Sequence, residues 1–243
     1  MLTRRSPPLN LKRNDTSQQF CIHRVEANTM PQTIRQALIS AYGDESNVNI
    51  VTAEINDPPR GEVQIRILYS GFNGADVNMR IGRYPNQESP QLTPGYCFIG
   101  TIERNGGGCT KFSPGTLVCA LMVYDAEAQL ANIQEKYLIS VPQGLNVHKV
   151  CALVLNWTTG YSLVHHSAKV KSGQRVFVHG LSGAVGLAVG TLCQLQGAKV
   201  YGTASQKHHD ILRSMGFVPH VYSNKDWMTA MISLGARTRL STP

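Results

Sequence analysis

Short apolar runs separated by turn residues dominate the chain from about residue 34 to residue 140. Val63, Ile65, Ile67 and Tyr69 alternate with polar or outward-facing positions, which is the two-residue period of a half-buried strand. The segment "GYCFIGTIERNGGGCTKFSPGTLVCALMVY" predicts two strands joined by a glycine-rich turn, with "SPG" as a second turn. Because little helix separates these strands, the pattern predicts an antiparallel, barrel-like module.

The hydrophobic period changes after Pro142. The segment "VCALVLNWTTGYSLVHHSA" carries apolar residues at a spacing of about 3.6 and predicts one or two helices. From Gln174 the order is strand, helix, strand, helix, strand, which is the signature of a parallel sheet built from βαβ units. The sequence therefore predicts an α/β protein in three parts: a disordered extension over 1–29, a barrel-type domain over 30–150 and a partial, three-strand parallel α/β domain over 151–243.

The composition is typical of a soluble globular protein: 42% of the 243 residues are hydrophobic and 16% are charged. A formal net charge of +8 suggests an anionic partner, but residues 1–29 hold +3 of it and the last eight residues +2. No stripe of lysine and arginine interleaved with aromatic residues appears, and no apolar stretch approaches the roughly 20 residues of a membrane span. We therefore expect neither a nucleic-acid partner nor a membrane-spanning helix.

The six cysteines are scattered, form no CxxC pair and follow no secretory signal. This pattern predicts reduced thiols in an intracellular, cytoplasmic protein. The start, "MLTRRSPPLNLKR", is basic and poor in acids, so a mitochondrial presequence stays open as an alternative. Its two prolines favour a disordered tail, or a start upstream of a natural one at Met30.

A glycine turn, "VFVHGLSGAVGLAVG", follows a buried-looking strand and opens a predicted helix. In such a turn the glycines let backbone N–H groups approach a pyrophosphate, whose charge the helix N-terminus complements. Gly186 would let the helix lie close to the first strand, and Ser182 would donate a hydrogen bond or cap the helix. The alternative is a tight corner without a ligand. The cofactor-binding residues predicted here are Gly180, Ser182, Gly183, Ala184, Val185 and Gly186.

The end of the second strand, "YGTASQKHHD", bears on the choice between NAD and NADP. NAD sites usually place an acidic residue there to bind the ribose 2′-hydroxyl, and this chain has Ala204 and Ser205. The missing carboxylate, with Ser205 and Lys207 as donors and Tyr222 after the third strand, favours NADP(H). The alternative for Lys207 is a solvated lysine at the start of a helix.

Several segments together resemble the medium-chain dehydrogenase/reductase superfamily, in its zinc-independent, quinone oxidoreductase-like branch. They include "GEVQIRILYSGFNGADVNMRIGRYP", "TPGYCFIG", "FSPGTLVCAL" and "LNWTTGYSLVHHSAKVKSGQRVFVHGLSGAVG", and the match runs from about residue 31 to 228. The resemblance implies a GroES-like β-barrel-type domain followed by a Rossmann domain, with the cofactor in the cleft between them. It also implies hydride transfer from NADPH to a small-molecule substrate, a quinone or an α,β-unsaturated carbonyl.

Zinc-bearing members of this superfamily place a cysteine, a His-Glu pair and a second cysteine at positions held here by Asn73, by Tyr96 with Cys97, and by Leu155. These residues are not a zinc set, so no metal is expected. Adjacent histidines on predicted helices point in different directions and are expected at the surface. They are His165, His166, His208 and His209.

The resemblance places Asn73 near the nicotinamide ribose and the substrate carbonyl, and Thr159 beside the nicotinamide or its phosphate. It places Tyr84 at the substrate mouth, as a donor to a developing enolate oxygen. Three alternatives stay open: Asn73 stabilises a turn, Thr159 caps a helix, and Tyr84 packs in the interior.

The second domain supplies strands 1, 2 and 3 of a sheet whose full order is 3-2-1-4-5-6. The final segment "ISLGARTRLSTP" is basic and polar and predicts no fourth strand, so the first strand is expected to expose an apolar edge. The hypothesis is a C-terminally truncated chain that lacks the family dimer interface. Three classes of function follow: an oxidoreductase impaired by truncation or completed by another polypeptide, a nucleotide-binding protein without chemistry, and a non-functional fragment.

Overall fold

A computed structural model describes residues 31–223 and 225–233. The predicted extension over 1–29 and the last ten residues of the predicted second domain lie outside these ranges. The strands are β1 (Gln32–Ile39), β2 (Val48–Ile55), β3 (Glu62–Ser70), β4 (Cys97–Asn105), β5 (Leu117–Leu121), β6 (Leu130–Gln134), β7 (Ile139–Ser140), β8 (Arg175–Val178), β9 (Lys199–Ala204) and β10 (Val218–Val221). The helices are α1 (Gly74–Arg80), α2 (Val147–Tyr161), α3 (Ala184–Leu195), α4 (His209–Ser214) and α5 (Asp226–Ser233), with a π-helical segment, Ser162–Ser167, after α2.

The first part of the chain forms an antiparallel sheet in the strand order β6-β3-β4-β5-β7. β1 and β2 form a separate antiparallel hairpin. The sheet encloses an apolar cluster in which Val63, Phe98, Val118 and Leu138 are at most 1% exposed. The antiparallel module predicted from the short apolar runs is confirmed.

The alternation predicted for β3 holds only in part. Val63 and Ile65 are fully buried, but Gln64 between them is buried as well, and Tyr69 is 42% exposed. The pairing of β3 with β4 is irregular between Gln64 and Ile65 and again between Ile67 and Tyr69. Because a bulge inserts an extra residue into one strand, the side chains beyond it change face.

α2 connects this sheet to the second part of the chain. Asn146 caps the helix, since its side-chain oxygen accepts a hydrogen bond from the backbone N–H of Lys149 at 3.1 Å. The helix packs on β4 and β5 and also on α3. Its contact with α3 is close at Gly160, where a β-carbon would lie 2.9 Å from the β-carbon of Ala188.

No helix within residues 31–223 and 225–233 is long and apolar enough to cross a membrane. α2, with 15 residues, extends about 22 Å, against a hydrocarbon core of about 30 Å.

The second part contains a parallel sheet in the order β10-β9-β8, which confirms the predicted βαβ alternation. Its core includes Leu181, Val200, Leu212 and Phe217. Within the described ranges β8 pairs with β9 alone and is an edge strand, as the sequence predicted.

The surface prediction for the paired histidines is wrong at His209, which is 2% exposed. α4 begins at this residue, and the histidine Nε2 lies 3.3 Å from the carbonyl oxygen of Ala204 at the end of β9. The side chains of the adjacent residues His208 and His209 do point in different directions, but that of His209 points into the protein. His165 is half-buried and His166 is exposed.

Candidate functional site

Three glycines shape the turn between β8 and α3. Gly180 has φ +67°, a conformation that residues with a β-carbon rarely adopt. A β-carbon at Gly186 would lie 2.2 Å from the carbonyl oxygen of Gly180, so only glycine lets α3 approach the turn this closely. The sequence predicted that Gly186 lets the helix lie close to the first strand; the backbone next to Gly186 is instead that of the turn at Gly180 and Leu181. Gly183 is exposed and leaves the outside of the turn free of side chains.

α3 begins without a side-chain cap. Its N-cap is Gly183, so the predicted capping by Ser182 is wrong: the helix starts one residue too late for it. Across the described residues, no acceptor meets the backbone N–H groups of Ala184, Val185 and Gly186. Free amides at a helix N-terminus carry partial positive charge, and an anion is their chemical complement.

These amides border a cleft of about 1170 Å³, which is larger than the roughly 300–1,000 Å³ of most small-molecule sites. Phe72 and Asn73 contribute one wall from the first part of the chain. The second part contributes the glycine turn, β8 and the π-helical segment, with Phe177 and Val178 as apolar lining. The cleft thus joins an end bordered by free backbone amides to an apolar end.

Asn73 lies in this cleft and also caps α1. Its Oδ1 accepts a hydrogen bond from the backbone N–H of Ala75 at 2.7 Å, and its own backbone N–H donates to Oδ2 of Asp76 at 2.8 Å. The turn-stabilising interpretation is therefore confirmed without excluding a role in the cleft. No acceptor in the described part of the chain meets the side-chain Nδ2 of Asn73, which remains available as a donor.

Asp76, the partner of Asn73 in the capping box, is 3% exposed, and its Oδ1 has no hydrogen-bond partner among the described residues. Burial raises the pKa of Asp76, while the backbone N–H of Asn73 acts in the opposite direction. A carboxyl held in this way fixes the Asn73 backbone at the wall of the cleft.

Tyr84 packs against the interior and does not line the cleft. Its ring meets that of Tyr96 edge-on, with centroids 5.4 Å apart, beside Met79 and Leu92. Burial is the main cause that raises the pKa of Tyr96, and the neighbouring Tyr84 adds to it. This arrangement agrees with the alternative in which Tyr84 packs in the interior.

Thr159 lies in the last turn of α2 and is exposed. Its hydroxyl donates to the carbonyl oxygen of Leu155 at 3.0 Å, so the helix-cap interpretation is wrong. The α2 residue that does line the cleft is Asn156, which lies almost one turn earlier. The sequence reasoning missed it, since the helical phase of α2 relative to the cleft depends on how α2 packs.

Ser205, Lys207 and Tyr222 follow the carboxyl ends of β9 and β10, two adjacent parallel strands. Ser205 is half-buried, whereas Lys207 and Tyr222 are exposed. Lys207 belongs to a short 3-10 turn before α4. This position also agrees with the alternative that Lys207 is a solvated lysine at the start of a helix. None of these three residues lines the cleft. They follow β9 and β10, whereas the glycine turn follows β8.

The sequence reasoning missed His179 in the turn and Thr203 in the neighbouring strand β9. Nδ1 of His179 lies 3.1 Å from Oγ1 of Thr203, and the backbone N–H of Gly180 donates to the same hydroxyl oxygen at 3.3 Å. Thr203 therefore ties β9 to the first residue of the turn, and His179 lines the cleft. Their positions in the sequence could have indicated a role at the site, because both residues lie at the carboxyl ends of parallel strands, where ligands bind.

The positions compared with the zinc-bearing relatives are close together in space. Asn73, Cys97 and Leu155 line a smaller cavity of about 240 Å³ next to the cleft. Leu155 has no donor atom, and within the described ranges no group of three His, Cys, Asp or Glu side chains has the arrangement of a metal site.

Comparison with known proteins gives a consistent family. Residues 59–141 match the alcohol dehydrogenase GroES-like domain. The chain is 26% identical over 207 residues to the human synaptic vesicle membrane protein VAT-1 homolog-like, a match that covers 84% of this chain and 49% of that protein. It is 30% identical over 170 residues to the quinone oxidoreductase of Rattus norvegicus, covering 70% and 52%. The chain thus spans about half the length of these curated relatives.

Solved structures show the same relationship. The crystal structure of the human VAT-1 homolog-like protein aligns with a TM-score of 0.76 at 25% identity and covers 82% of this chain and 65% of that one. The CurK enoyl reductase aligns with a TM-score of 0.77 at 25% identity, covering 84% and 64%. The chain belongs to the medium-chain dehydrogenase/reductase superfamily, in its quinone oxidoreductase-like branch.

Proposed function

We propose that the cleft binds NADP(H) and that the chain serves an oxidoreductase acting on a quinone or an α,β-unsaturated carbonyl. The observation that carries the proposal is the uncapped N-terminus of α3, with free amides at Ala184 and Val185, opposite the side-chain amide of Asn73 in one cleft. A relative at 30% identity is a quinone oxidoreductase, and a structural neighbour is an enoyl reductase.

The phosphate end of the proposed site is the glycine turn. A pyrophosphate needs donors at short range and no side chains in its way, which Gly180 and Gly183 provide by lacking a β-carbon. The helix N-terminus adds partial positive charge to the amides that would donate. Each of these features supports a dinucleotide over an uncharged ligand.

The preference for NADP(H) rests on the charge beyond the second strand. Ser205, Lys207 and Tyr222 supply donors there, and residues 204–209 contain no carboxylate. Asp210, the next acid, lies 3.1 Å from Arg213 in an ion pair on α4. A 2′-phosphate would therefore meet a lysine and hydroxyl groups rather than an acid.

The reacting end of the site would hold the nicotinamide, which supplies a hydride when the cofactor is bound. Asn73 would donate its free Nδ2–H to the substrate carbonyl oxygen, where negative charge develops as the hydride arrives. Phe72, Phe177 and Val178 would exclude water from this end.

We propose that this chemistry does not involve zinc. The three positions that zinc-bearing relatives would use hold an amide, a Tyr96–Cys97 pair and the hydrocarbon of Leu155. Zinc sites take three or four nitrogen, sulfur or carboxylate ligands, and this set offers one thiol. Substrate polarisation then depends on hydrogen-bond donors such as Asn73.

A second candidate function, nucleotide binding without turnover, is favoured by the placement of Tyr84. Its ring packs against Tyr96, away from the cleft, so the hydroxyl expected to serve an enolate is not at the site. Both candidates require the same cofactor-binding site. They differ only in whether a reaction takes place at the nicotinamide end.

The test begins with fluorescence titration of the full chain by NADPH and by NADH, followed by assay of NADPH-dependent reduction of a small quinone and a small enone. We expect binding that is tighter for NADPH than for NADH, with measurable turnover. Binding without turnover selects the second candidate. Equal affinities, or a preference for NADH, would contradict the NADP(H) assignment.

A matched pair of variants locates the binding site. Gly183→Asp places a carboxylate beside the free amides and is expected to abolish NADPH binding by repulsion of the phosphates. Gly107→Asp makes the same change at an exposed glycine whose β-carbon would have no neighbour closer than 3.9 Å, and it is expected to bind normally. Unchanged binding by Gly183→Asp would exclude the turn as the phosphate site.

A further inference from the structure

Two buried thiols from distant parts of the sequence meet beside Gly71. Cys97 begins β4 and Cys151 lies in α2, and they are 2% and 4% exposed. A β-carbon at Gly71 would lie 2.5 Å from the Sγ of Cys97 and 3.8 Å from the Sγ of Cys151. Glycine at position 71 therefore leaves the space in which the two sulfur atoms stand side by side.

The surrounding contacts hold both thiols in place. The Cys97 Sγ lies 3.8 Å from the carbonyl oxygen of Cys151, and the Cys151 Sγ lies 3.6 Å from the carbonyl oxygen of Tyr69. The hydrogen bond between the two thiols lowers the pKa of Cys151 and raises that of Cys97. Cys151 is thus the thiol with more thiolate character, and thiolate is the reactive form of cysteine.

Both thiols line the cavity of about 240 Å³ that adjoins the cleft. A single water needs roughly 10–15 Å³ of such space, so the cavity admits several waters. A molecule of the size of hydrogen peroxide fits in this space. Asn73 lines this cavity as well as the cleft, so a change at the thiols reaches the wall of the proposed nucleotide site.

We propose that Cys97 and Cys151 form a redox site in which a small hydroperoxide converts the thiol pair to a disulfide that joins β4 to α2. The proposal is independent of the function proposed for the cleft. Such a bond would link the antiparallel sheet directly to the helix that leads into the second part of the chain.

The chemistry takes two steps with hydrogen peroxide as the oxidant. The Cys151 thiolate attacks one peroxide oxygen; an S–O bond forms, the O–O bond breaks, and the departing hydroxide takes up a proton as water. The Cys97 sulfur then attacks the sulfenic sulfur, the S–S bond forms, and the S–O bond breaks with release of a second water. In total two thiols lose two electrons and two protons, and one peroxide becomes two waters.

The chain contains comparison thiols with different surroundings. Cys119 is buried near Cys151 but lines another, apolar groove, and Cys193 lies in the core of the second part. Neither lines the small cavity that Cys97 and Cys151 share.

The experiment treats the reduced, native full chain with hydrogen peroxide, blocks remaining thiols by alkylation in denaturant and maps cross-linked peptides by mass spectrometry without reduction. We expect a Cys97–Cys151 cross-link as the main product. The cross-linked protein is expected to unfold at a higher urea concentration, and reduction should reverse that shift, because the bond closes a long loop in the unfolded chain.

Variants then assign the product. Cys97→Ser and Cys151→Ser should each lose the cross-link, while Cys119→Ser and Cys193→Ser should keep it. The wild-type map alone decides the proposal, so it survives the failure of any variant to fold. Recovery of both thiols unmodified, or of Cys151 as sulfinic acid beside a free Cys97, would overturn it.

Discussion

The carbonyl oxygen of Gly180 occupies the space beside Gly186, so that a β-carbon at Gly186 would lie 2.2 Å from it. This contact sets the distance between the turn and the first turn of α3, and so the position of the free amides at the cleft. The geometry of the proposed anion site therefore depends on the absence of a β-carbon at Gly186.

Gly186→Ala should destabilise the chain by about 1–3 kcal/mol and lower the affinity for NADPH, because backbone has to move to admit the methyl group. Urea unfolding and NADPH titration measure the two effects. Gly107→Ala, at an open position, is the control and should change neither. A stable Gly186→Ala protein with normal NADPH affinity would mean that the turn does not bind the cofactor.

Lys207→Ala should weaken NADPH binding about tenfold, the equivalent of about 1.4 kcal/mol, and leave NADH binding unchanged. The reason is that only NADPH carries the 2′-phosphate that an exposed ammonium group beyond β9 would meet. Parallel titrations with the two cofactors separate this effect from a general loss of affinity. Lys149→Ala, an exposed lysine on α2, serves as the control. An equal loss for both cofactors would assign Lys207 another role.

Asn73→Ser separates the two roles of Asn73. Serine keeps an oxygen that can cap α1, so the free energy of unfolding should fall by less than the roughly 1 kcal/mol expected for Asn73→Ala. The variant lacks the amide donor, so kcat for NADPH-dependent quinone reduction should fall about 100-fold. Urea unfolding and steady-state kinetics together give the answer. A kcat equal to that of wild type would remove Asn73 from the reacting end.

Glu127 should make the stability of the protein depend on pH. Burial, and then the Asp76 carboxylate, raise the pKa of Glu127 from 4.5 to about 7. The folded protein therefore holds this proton more tightly than the unfolded chain. Its contribution is complete below pH 4.5 and is lost as the pH rises through 7, by about 2 kcal/mol after solvent screening.

Glu127→Gln should flatten this decline, as measured by urea unfolding between pH 4.5 and pH 7.5. Glu103→Gln is the control, since the hydrogen bond from Arg66 lowers the pKa of Glu103 and places its titration below this range. A decline of unchanged slope in Glu127→Gln would assign the effect to another group.

The local elements were largely predictable from the sequence. Strand periods, the change of period after Pro142 and the strand–turn–helix order around Gly180 follow from local chemistry: alternation for strands, helical spacing for helices, and glycine for a turn with positive φ. The parallel order β10-β9-β8 followed from the βαβ connections. The bulges in β3 had no such signal, because pairing with β4 produces them.

Only the tertiary structure decided which side chains share a site. Asn73 and the glycine turn come from parts of the chain more than 100 residues apart, and both line one cleft. Cys97 and Cys151 are 54 residues apart and meet because α2 packs on β4. Sequence determines local conformation through nearest-neighbour sterics and hydrogen bonding, whereas the juxtaposition of distant residues follows from the way the assembled elements bury their apolar faces.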